Sequence, residues 1–442
     1  MKMRKIWVVL FFCAVNSLVF SQDPRDEEIF GESNTEPLNP PLRFHEIGDT
    51  TSVGGRLEVE TFAQWLEGKK IKDVQYDHRS TFDTYIDARP HEDVRGFVRL
   101  RTLVPDPTLE KTKSRSTFKV DIDEAWIKTS LEKRVFLTYG RQHVKWGVGR
   151  FWNPSDFLTA SIRDPLATYD KRLGSDLFKI HFPREKESSN FYGILHLDDL
   201  GTYKEPGMAL RAEFLLAQTE LSFSGYGRAN NPVRLASDVS SGVGPVDFYA
   251  ELVYSTQNRA KFYKGEGNPV TGSGFETFER RKEWIPQAVG GVTYSYKYSD
   301  EDFFTVGLEY FYNGLGYETR ELELFSFLQG QVNPLYLGKH YAGLLFVLPN
   351  PGLWNETTFY FNVLTNLVDG SGLSRLSCRT YVQKYILVEL WASASFGSEG
   401  EFRFRVPEEF DVASAPTGKT QTSFFPGSGT SRAIGASLSL NF

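Results

Sequence analysis

The sequence predicts an all-β protein, an antiparallel transmembrane β-barrel of about 18 strands, in the size range of about 16 to 18 that encloses a water-filled channel. Three observations lead there. Aromatic residues make up 15% of the chain, with 36 Phe and 21 Tyr against only 3 Met. Stretch after stretch alternates apolar and polar residues over roughly the 9 to 11 positions that a strand needs to cross a bilayer obliquely. Beyond the N-terminal segment no run offers about 18 consecutive apolar residues for a membrane helix, and the mean hydropathy is −0.35. In a barrel only alternate residues meet lipid, so the membrane signal is diluted by half.

The first residues, "MKMRKIWVVLFFCAVNSLVFSQ", give a basic start (Lys2, Arg4, Lys5), an apolar run from Ile6 to Phe20 and a small-residue site ending at Ser21. Residues 1–21 therefore read as a secretory signal peptide. Phe11 and Phe12 are too bulky for a lipidation site at Cys13. The formal charge of −6 becomes −9 once Lys2, Arg4 and Lys5 leave, and this acidity argues against nucleic acid as a partner. Of 2 cysteines only Cys378 then remains, so no intrachain disulfide is expected. Residues 22–52, acidic, proline-rich and without periodicity, read as a flexible periplasmic lead-in, and residues 53–442 as the barrel.

The strands follow in order. Val53, Leu57, Val59, Ala63 and Trp65 share one face, with Arg56, Glu58, Glu60 and Gln64 on the other. "DVRGFVRLRTL" sets Val94, Val98 and Leu100 against Arg95, Arg99 and Arg101. The same alternation recurs through Met208 to Leu216, Phe248 to Tyr254, Val292 to Tyr298, Phe304 to Tyr312 and Ile386 to Phe396, and no helical stretch is evident between them. It ends in "SRAIGASLSLNF", with Ile434, Ala436, Leu438, Leu440 and Phe442 on one face.

Direction fixes the count. If the last strand runs inward to Phe442, residues 398–430 are external, Lys384 and "YSDED" mark inner turns, and 257–286 and 314–339 are external loops. The long segment 143–172 falls on the outer side only if "NPVRLASDVS" is a strand that turns through "SGVGP". "STFDTYIDARPHEDVRGFVRL" splits likewise about "RPHED". Tyr298 and Phe304 then flank an inner turn, and Tyr310 and Tyr312 lie one membrane thickness away, as two interfacial aromatic bands.

The inward set includes Arg56, Glu58, Arg95, Arg99, Arg101, Lys119, Asp121, Asp123, Arg211, Glu213 and Glu309. Its mixed signs suit a hydrated interior without strong ion preference; Arg95, Arg99 and Arg101 form either an anion-attracting ladder or a solvated face. Glu124 falls among the outward residues Ile122 and Trp126, which calls for an interfacial position or a bulge.

One stretch departs from alternation: "LTYGRQHVKWGVGRFWNPSDF". Gly147 and Gly149 permit unusual backbone angles, Arg141 and Arg150 offer rigid donor forks, and Asp156 and Asp164 are expected as their partners. Gly140, Arg141, Gln142, Trp146, Gly147, Asn153, Pro154 and Asp156 together resemble a Gly-Arg-Gln, Trp-Gly, Asn-Pro-x-Asp pattern of porin-like outer-membrane barrels of diderm bacteria, close over about 20 residues. The terminal Phe442 resembles the signal read by the outer-membrane assembly machinery. The resemblance implies a channel in outer-membrane lipid for passive diffusion of small hydrophilic solutes. It also implies an internal constriction; taken with the inward set, the candidate pore and constriction residues are Arg95, Arg99, Arg101, Arg141, Gln142, Trp146, Gly147, Arg150, Asn153 and Asp156. The loop 143–172 is expected either to fold into the lumen, held by Arg141 and Asp156, or to lock over the rim.

Other readings are weaker. His143 near Ser155 and Asp156 lacks a nucleophile elbow, the 7 His are scattered without a zinc spacing, and "GSGFETFERR" lacks a phosphate-loop lysine. No catalysis, cofactor or metal is therefore expected. The lead-in is too short for a transporter plug. A non-conducting adhesin or structural barrel is the main rival, and an envelope-polymer exporter, which predicts aromatic rails along the lumen, is a third.

Overall fold

The alternating stretches become long strands joined edge to edge. The computed structural model describes residues 45–46, 50–66, 74–104, 118–159, 164–166, 171–198, 205–256, 260–300, 302–329, 335–403 and 430–442. Its strands are β1 (His45–Glu46), β2 (Thr51–Leu66), β3 (Gln75–His91), β4 (Val94–Val104), β5 (Lys119–Leu131), β6 (Val135–Gln142), β7 (Ser175–Arg184), β8 (Ser189–His196), β9 (Gly207–Leu216), β10 (Thr219–Gly227), β11 (Val233–Val243), β12 (Val246–Thr256), β13 (Lys261–Gly265), β14 (Phe275–Glu279), β15 (Ile285–Lys297), β16 (Phe303–Asn313), β17 (His340–Pro349), β18 (Thr357–Asn366), β19 (Ser371–Gln383), β20 (Ile386–Gly397) and β21 (Thr430–Asn441).

Eighteen of these, β2 to β12 and β15 to β21, pair antiparallel with their chain neighbours. The ring closes where β2 pairs with β21 on one edge and β3 on the other. β1 continues the β21 edge of β2, His45 opposite Val53, and so falls within the stretch expected to be a flexible lead-in. Residues 1–21, expected to be a signal peptide, and most of that lead-in lie outside the described residues.

Lipid and water dictate opposite faces on each strand. Leu210, Leu308, Leu390 and Leu438 are 66%, 56%, 56% and 49% exposed on the outside, while their neighbours Arg211, Glu309, Glu389 and Ser439 are buried inside. This is a soluble protein's pattern inverted, and a closed ring leaves no edge unpaired in hydrocarbon.

The end of the barrel that carries Phe442 has turns of two to seven residues. The split about "RPHED" and the added strand β11 are both present, and every strand runs in the expected direction. Glu132 and Lys133 take successive positive φ of 52° and 55°, which matches the turn to the strand twist. The bulge is present too: Arg99 faces Glu124 while Leu100 faces Ile122, leaving Asp123 as the extra residue. Asp123 and Glu124 both point inward, and the slip carries Trp126 inside rather than outside, where it stacks on Phe97 at 5.5 Å, and Phe97 in turn stacks on Tyr85 at 5.8 Å.

The opposite end carries the long loops, and one feature there was not expected. Helix α1 (Arg320–Leu328) begins at Thr319, whose side chain accepts from Leu322 N. Its Phe325 packs on Tyr263 and Phe275 of the β13–β14 hairpin, at 4.8 and 4.6 Å between ring centres. Nine residues with one buried aromatic face are too short for sequence periodicity to reveal.

Candidate functional site

The loop after β6 turns into the barrel and lies against the inner wall from β7 round to β18. The wall is built to receive it. At inward positions, where polar residues are the rule, stand Leu177, Ile194, Ala209, Ala236 and Val253, and these bury Trp146, Phe157 and Leu158. Further round, Val289, Phe311, Tyr341 and Leu364 bury Phe151, Trp152 and Leu166. Trp152 has no exposed surface, stacks on Phe311 and Tyr341 at 5.8 and 5.5 Å, and donates from Nε1 to Leu335 O at 3.1 Å. Gly343 leaves room for it: a Cβ there would meet the Phe151 ring at 2.4 Å.

An irregular backbone inside a barrel exposes N–H groups that must find acceptors. Two wall carboxylates supply them. Glu251 accepts from Val148 N (2.7 Å), Gly149 N (2.5 Å), Ser155 N (3.3 Å) and Ser155 Oγ (2.7 Å). Glu309 accepts from Arg150 N (2.7 Å), Phe151 N (2.9 Å) and Trp152 N (2.9 Å), and from the Tyr249 hydroxyl at 2.6 Å. Successive N–H groups closing round an anion form a nest, here with the anions supplied by the protein itself. The glycines make it possible. Gly147 has φ +87°, and a Cβ on it would stand 1.9 Å from Asn153 Oδ1 and 2.6 Å from Glu251 Oε1.

The motif residues thus divide. Trp146, Gly147, Asn153 and the backbone of Arg150 belong to the docked segment, with the Arg150 guanidinium over the Tyr249 ring at 5.9 Å. Gln142 is buried at the end of β6. The expected clamp of Arg141 on Asp156 is not formed. Arg141 makes a forked pair with Asp176 (2.9 and 2.7 Å), its cross-strand neighbour on β7, and Asp156 pairs with Arg172 at 2.8 Å. Adjacent strand register satisfies Arg141 before the loop can. Asp164 accepts from Leu166 N instead of meeting an arginine of the motif. Glu309 stands among the inward residues that alternation identifies, but its role, and that of Glu251, carries no local sequence signal.

Across the lumen the returning limb of the loop meets the other wall. Lys171 pairs with Glu58 at 3.3 Å, and its carbonyl accepts from Arg101 Nη1 at 2.8 Å. Arg101 also holds Asp83 (3.1 Å) and Asp123 (2.9 Å), Arg95 holds Asp87 through two bonds, and Arg99 lies 3.5 Å from Glu124. The three arginines are therefore neither a ladder of free cations nor a solvated face, because an acid is matched to each. His143 hydrogen-bonds Asp123 at 3.0 Å; burial alone would lower its pKa, but the neighbouring carboxylates raise it overall. Since Ser155 bonds Glu251, the His143, Ser155 and Asp156 trio is engaged with three different partners. Among the described residues no group of three His, Cys, Asp or Glu is arranged to hold a metal ion.

No family model matches the chain, and no curated protein matches it. Solved structures do resemble it in shape. A porin of Rhodopseudomonas blastica, as a double mutant, shares 10% identity at a TM-score of 0.44, covering 89% of this chain and 100% of that one. Pseudomonas putida OprB shares 8% at 0.48, covering 89% and 94%. The outer-membrane protein OmpT of Vibrio cholerae, with a loop deleted, shares 8% at 0.40, covering 89% and 100%.

Proposed function

We propose that the protein is an outer-membrane channel through which small hydrophilic solutes diffuse passively, and that the docked loop narrows it. The observation that carries this reading is the seating of residues 146–158 on Glu251 and Glu309 inside a ring of 18 strands whose opposite inner wall is lined by paired charges. A barrel of this size has an interior wider than side chains fill, so a loop packed against one wall leaves the path along the other. Arg95, Arg99, Arg101 and Lys171 line that side. Gln142, Trp146, Gly147, Arg150, Asn153 and Asp156 act on the pore indirectly, by shaping and fixing the loop.

Planar-bilayer recording tests this directly. The full chain is expected to give stepwise openings, and removal of residues 146–160 to raise the unit conductance about twofold or more while the heat-modifiable gel band of a folded barrel persists. A sealed bilayer would favour the adhesin or structural reading. Openings of unchanged size in the deletion variant would remove the loop as a constriction.

A further inference from the structure

Trp152 anchors the docked loop, yet the barrel wall does not enclose it alone. Phe311 and Tyr341 of the wall stack on its ring, but the buried cluster around it also takes in Leu335 and Phe402. Leu335 comes from the loop between β16 and β17, and Phe402 from the loop between β20 and β21. The one polar atom of the Trp152 side chain finds its acceptor there too, in the Leu335 carbonyl. The seat of the docked loop is therefore closed from outside by two other loops.

One side chain holds that closure together. Glu401, 1% exposed, accepts from Leu335 N at 2.6 Å through Oε1, and through Oε2 from the Tyr341 hydroxyl at 2.6 Å and Asn366 Nδ2 at 3.0 Å. The Tyr341 hydroxyl in turn accepts from Gly338 N at 2.6 Å, and the backbone N–H of Glu401 donates to Asp369 Oδ2 at 2.5 Å. Leu335 needs such a hold. Its φ of 68° is one that a bulky side chain keeps only where the surroundings impose it. Without the carboxylate the Leu335 N–H loses its acceptor, the residue is free to leave that angle, and the carbonyl that receives Trp152 Nε1 moves with it.

We propose that Glu401 is a positioning residue for the constriction, and that through it the outer loops govern the width of the pore. The inference rests on the channel reading and adds its regulation. Glu401 hydrogen-bonds no residue of the segment 146–158 and acts through Leu335 and Tyr341. The coupling is reciprocal. A contact at the outer surface that draws residues 398–403 away weakens the seat of Trp152, and a docked segment that leaves its seat loosens the outer loops by the same free energy. Glu323 of α1 shares Asn366 with Glu401 but hydrogen-bonds neither Leu335 nor Tyr341, so it lies off this route.

Single-channel recording of the full-length protein in a planar bilayer tests the coupling, with the heat-modifiable band as the check on folding. Glu401→Ala is expected to raise the time-averaged conductance about 1.5-fold, as the lost hydrogen bonds weaken the seat, and to add flicker between a narrow and a wide level. Trp152→Phe keeps a ring and removes the N–H. It is expected to flicker likewise, and the double variant no more than Glu401→Ala alone, because both changes break one connection. Glu401→Gln keeps an oxygen for Leu335 N and is expected to restore most of the steadiness. Glu323→Ala is expected to leave the conductance as in the wild type. Steady wild-type conductance in folded Glu401→Ala or in Trp152→Phe would overturn the coupling and leave the channel standing. So would additive effects in the double variant, or an equal effect of Glu323→Ala. Absence of any conductance would remove the channel reading and the coupling with it.

Discussion

At the scale of single residues, the decisive choices are two glutamates and two glycines. Glu309 holds three consecutive amides and a tyrosine hydroxyl, all of them donors. Glu309→Gln keeps the shape but turns one oxygen into an NH2 that faces N–H groups, so at least one buried donor loses its acceptor. The loss is about 2 to 3 kcal/mol, the range for a hydrogen bond to a charged partner left unmade. The barrel ring does not depend on this contact, so the gel shift of a folded barrel is expected to survive while protease cleavage between residues 146 and 158 becomes detectable. A loop that stays fully protected in Glu309→Gln would show that the aromatic packing of Trp146 and Trp152 suffices without the carboxylate. Gly147→Ala acts from the other partner. Its added methyl meets Asn153, Ser155 and Glu251 at once, on a backbone angle that side chains rarely adopt. The same release of the loop is expected, and at least as complete.

At the scale of elements, the external loops are fastened to one another by a carboxyl cluster. Asn366 Nδ2 lies within 3.3 Å of oxygens from Glu323 of α1, Asp369 and Glu401. Burial, then the neighbouring Asp369 and Glu401, pushes the Glu323 carboxyl up to about 11, and burial with Asp369 pushes Glu401 up to about 8. Both groups thus bind a proton in the docked state at pH values where the released loops, near the ordinary value of 4.5, have lost it. Docking is then favoured at low pH and loses strength as pH rises from about 5 through 8 and beyond, by up to about tenfold in the docking equilibrium per pH unit for each retained proton. Hydrogen exchange of α1, corrected for the intrinsic rate, should show protection falling between pH 6 and 9. Glu323→Gln should flatten that dependence, and a flat profile in the wild type would mean that the carboxyls are not held protonated. None of this is legible in the sequence, where Glu323, Asn366, Asp369 and Glu401 are spread over nearly eighty positions.

At the scale of the whole molecule, lipid imposes a period of two on the strands, and that is why strand number and direction, and facing except beyond the β5 bulge that turns Glu124 and Trp126 inward, are readable from alternation and loop length. What alternation cannot express is where the interior stops being water. Val253 between Leu252 and Tyr254, and Phe311 between Tyr310 and Tyr312, break the period with inward apolar residues, and those breaks mark the loop's landing sites. The partner of a carboxylate across the lumen has no such trace, so nearness in the chain points Arg141 to Asp156 whereas strand register pairs it with Asp176. The closure of the ring is the remaining whole-molecule feature. Phe442 exchanges both backbone bonds with Gly55, at 2.7 and 3.0 Å, and its ring stacks on Phe82 at 5.8 Å in space that Gly55 leaves clear. Phe442 therefore has a packing role at the seam as well as the proposed role of signal to the assembly machinery, and two variants separate them. Phe442→Ala removes both, whereas Phe82→Ala removes the stacking partner and keeps the terminal aromatic. The stacking lost in either is worth about 1 kcal/mol, so purified chains refolded into lipid vesicles should show similar, small losses of heat resistance. In cells the two should part: Phe442→Ala is expected to lower the level of folded barrel about tenfold, and Phe82→Ala by much less. Equal levels of the two variants in cells would assign the terminal phenylalanine to closure of the ring alone.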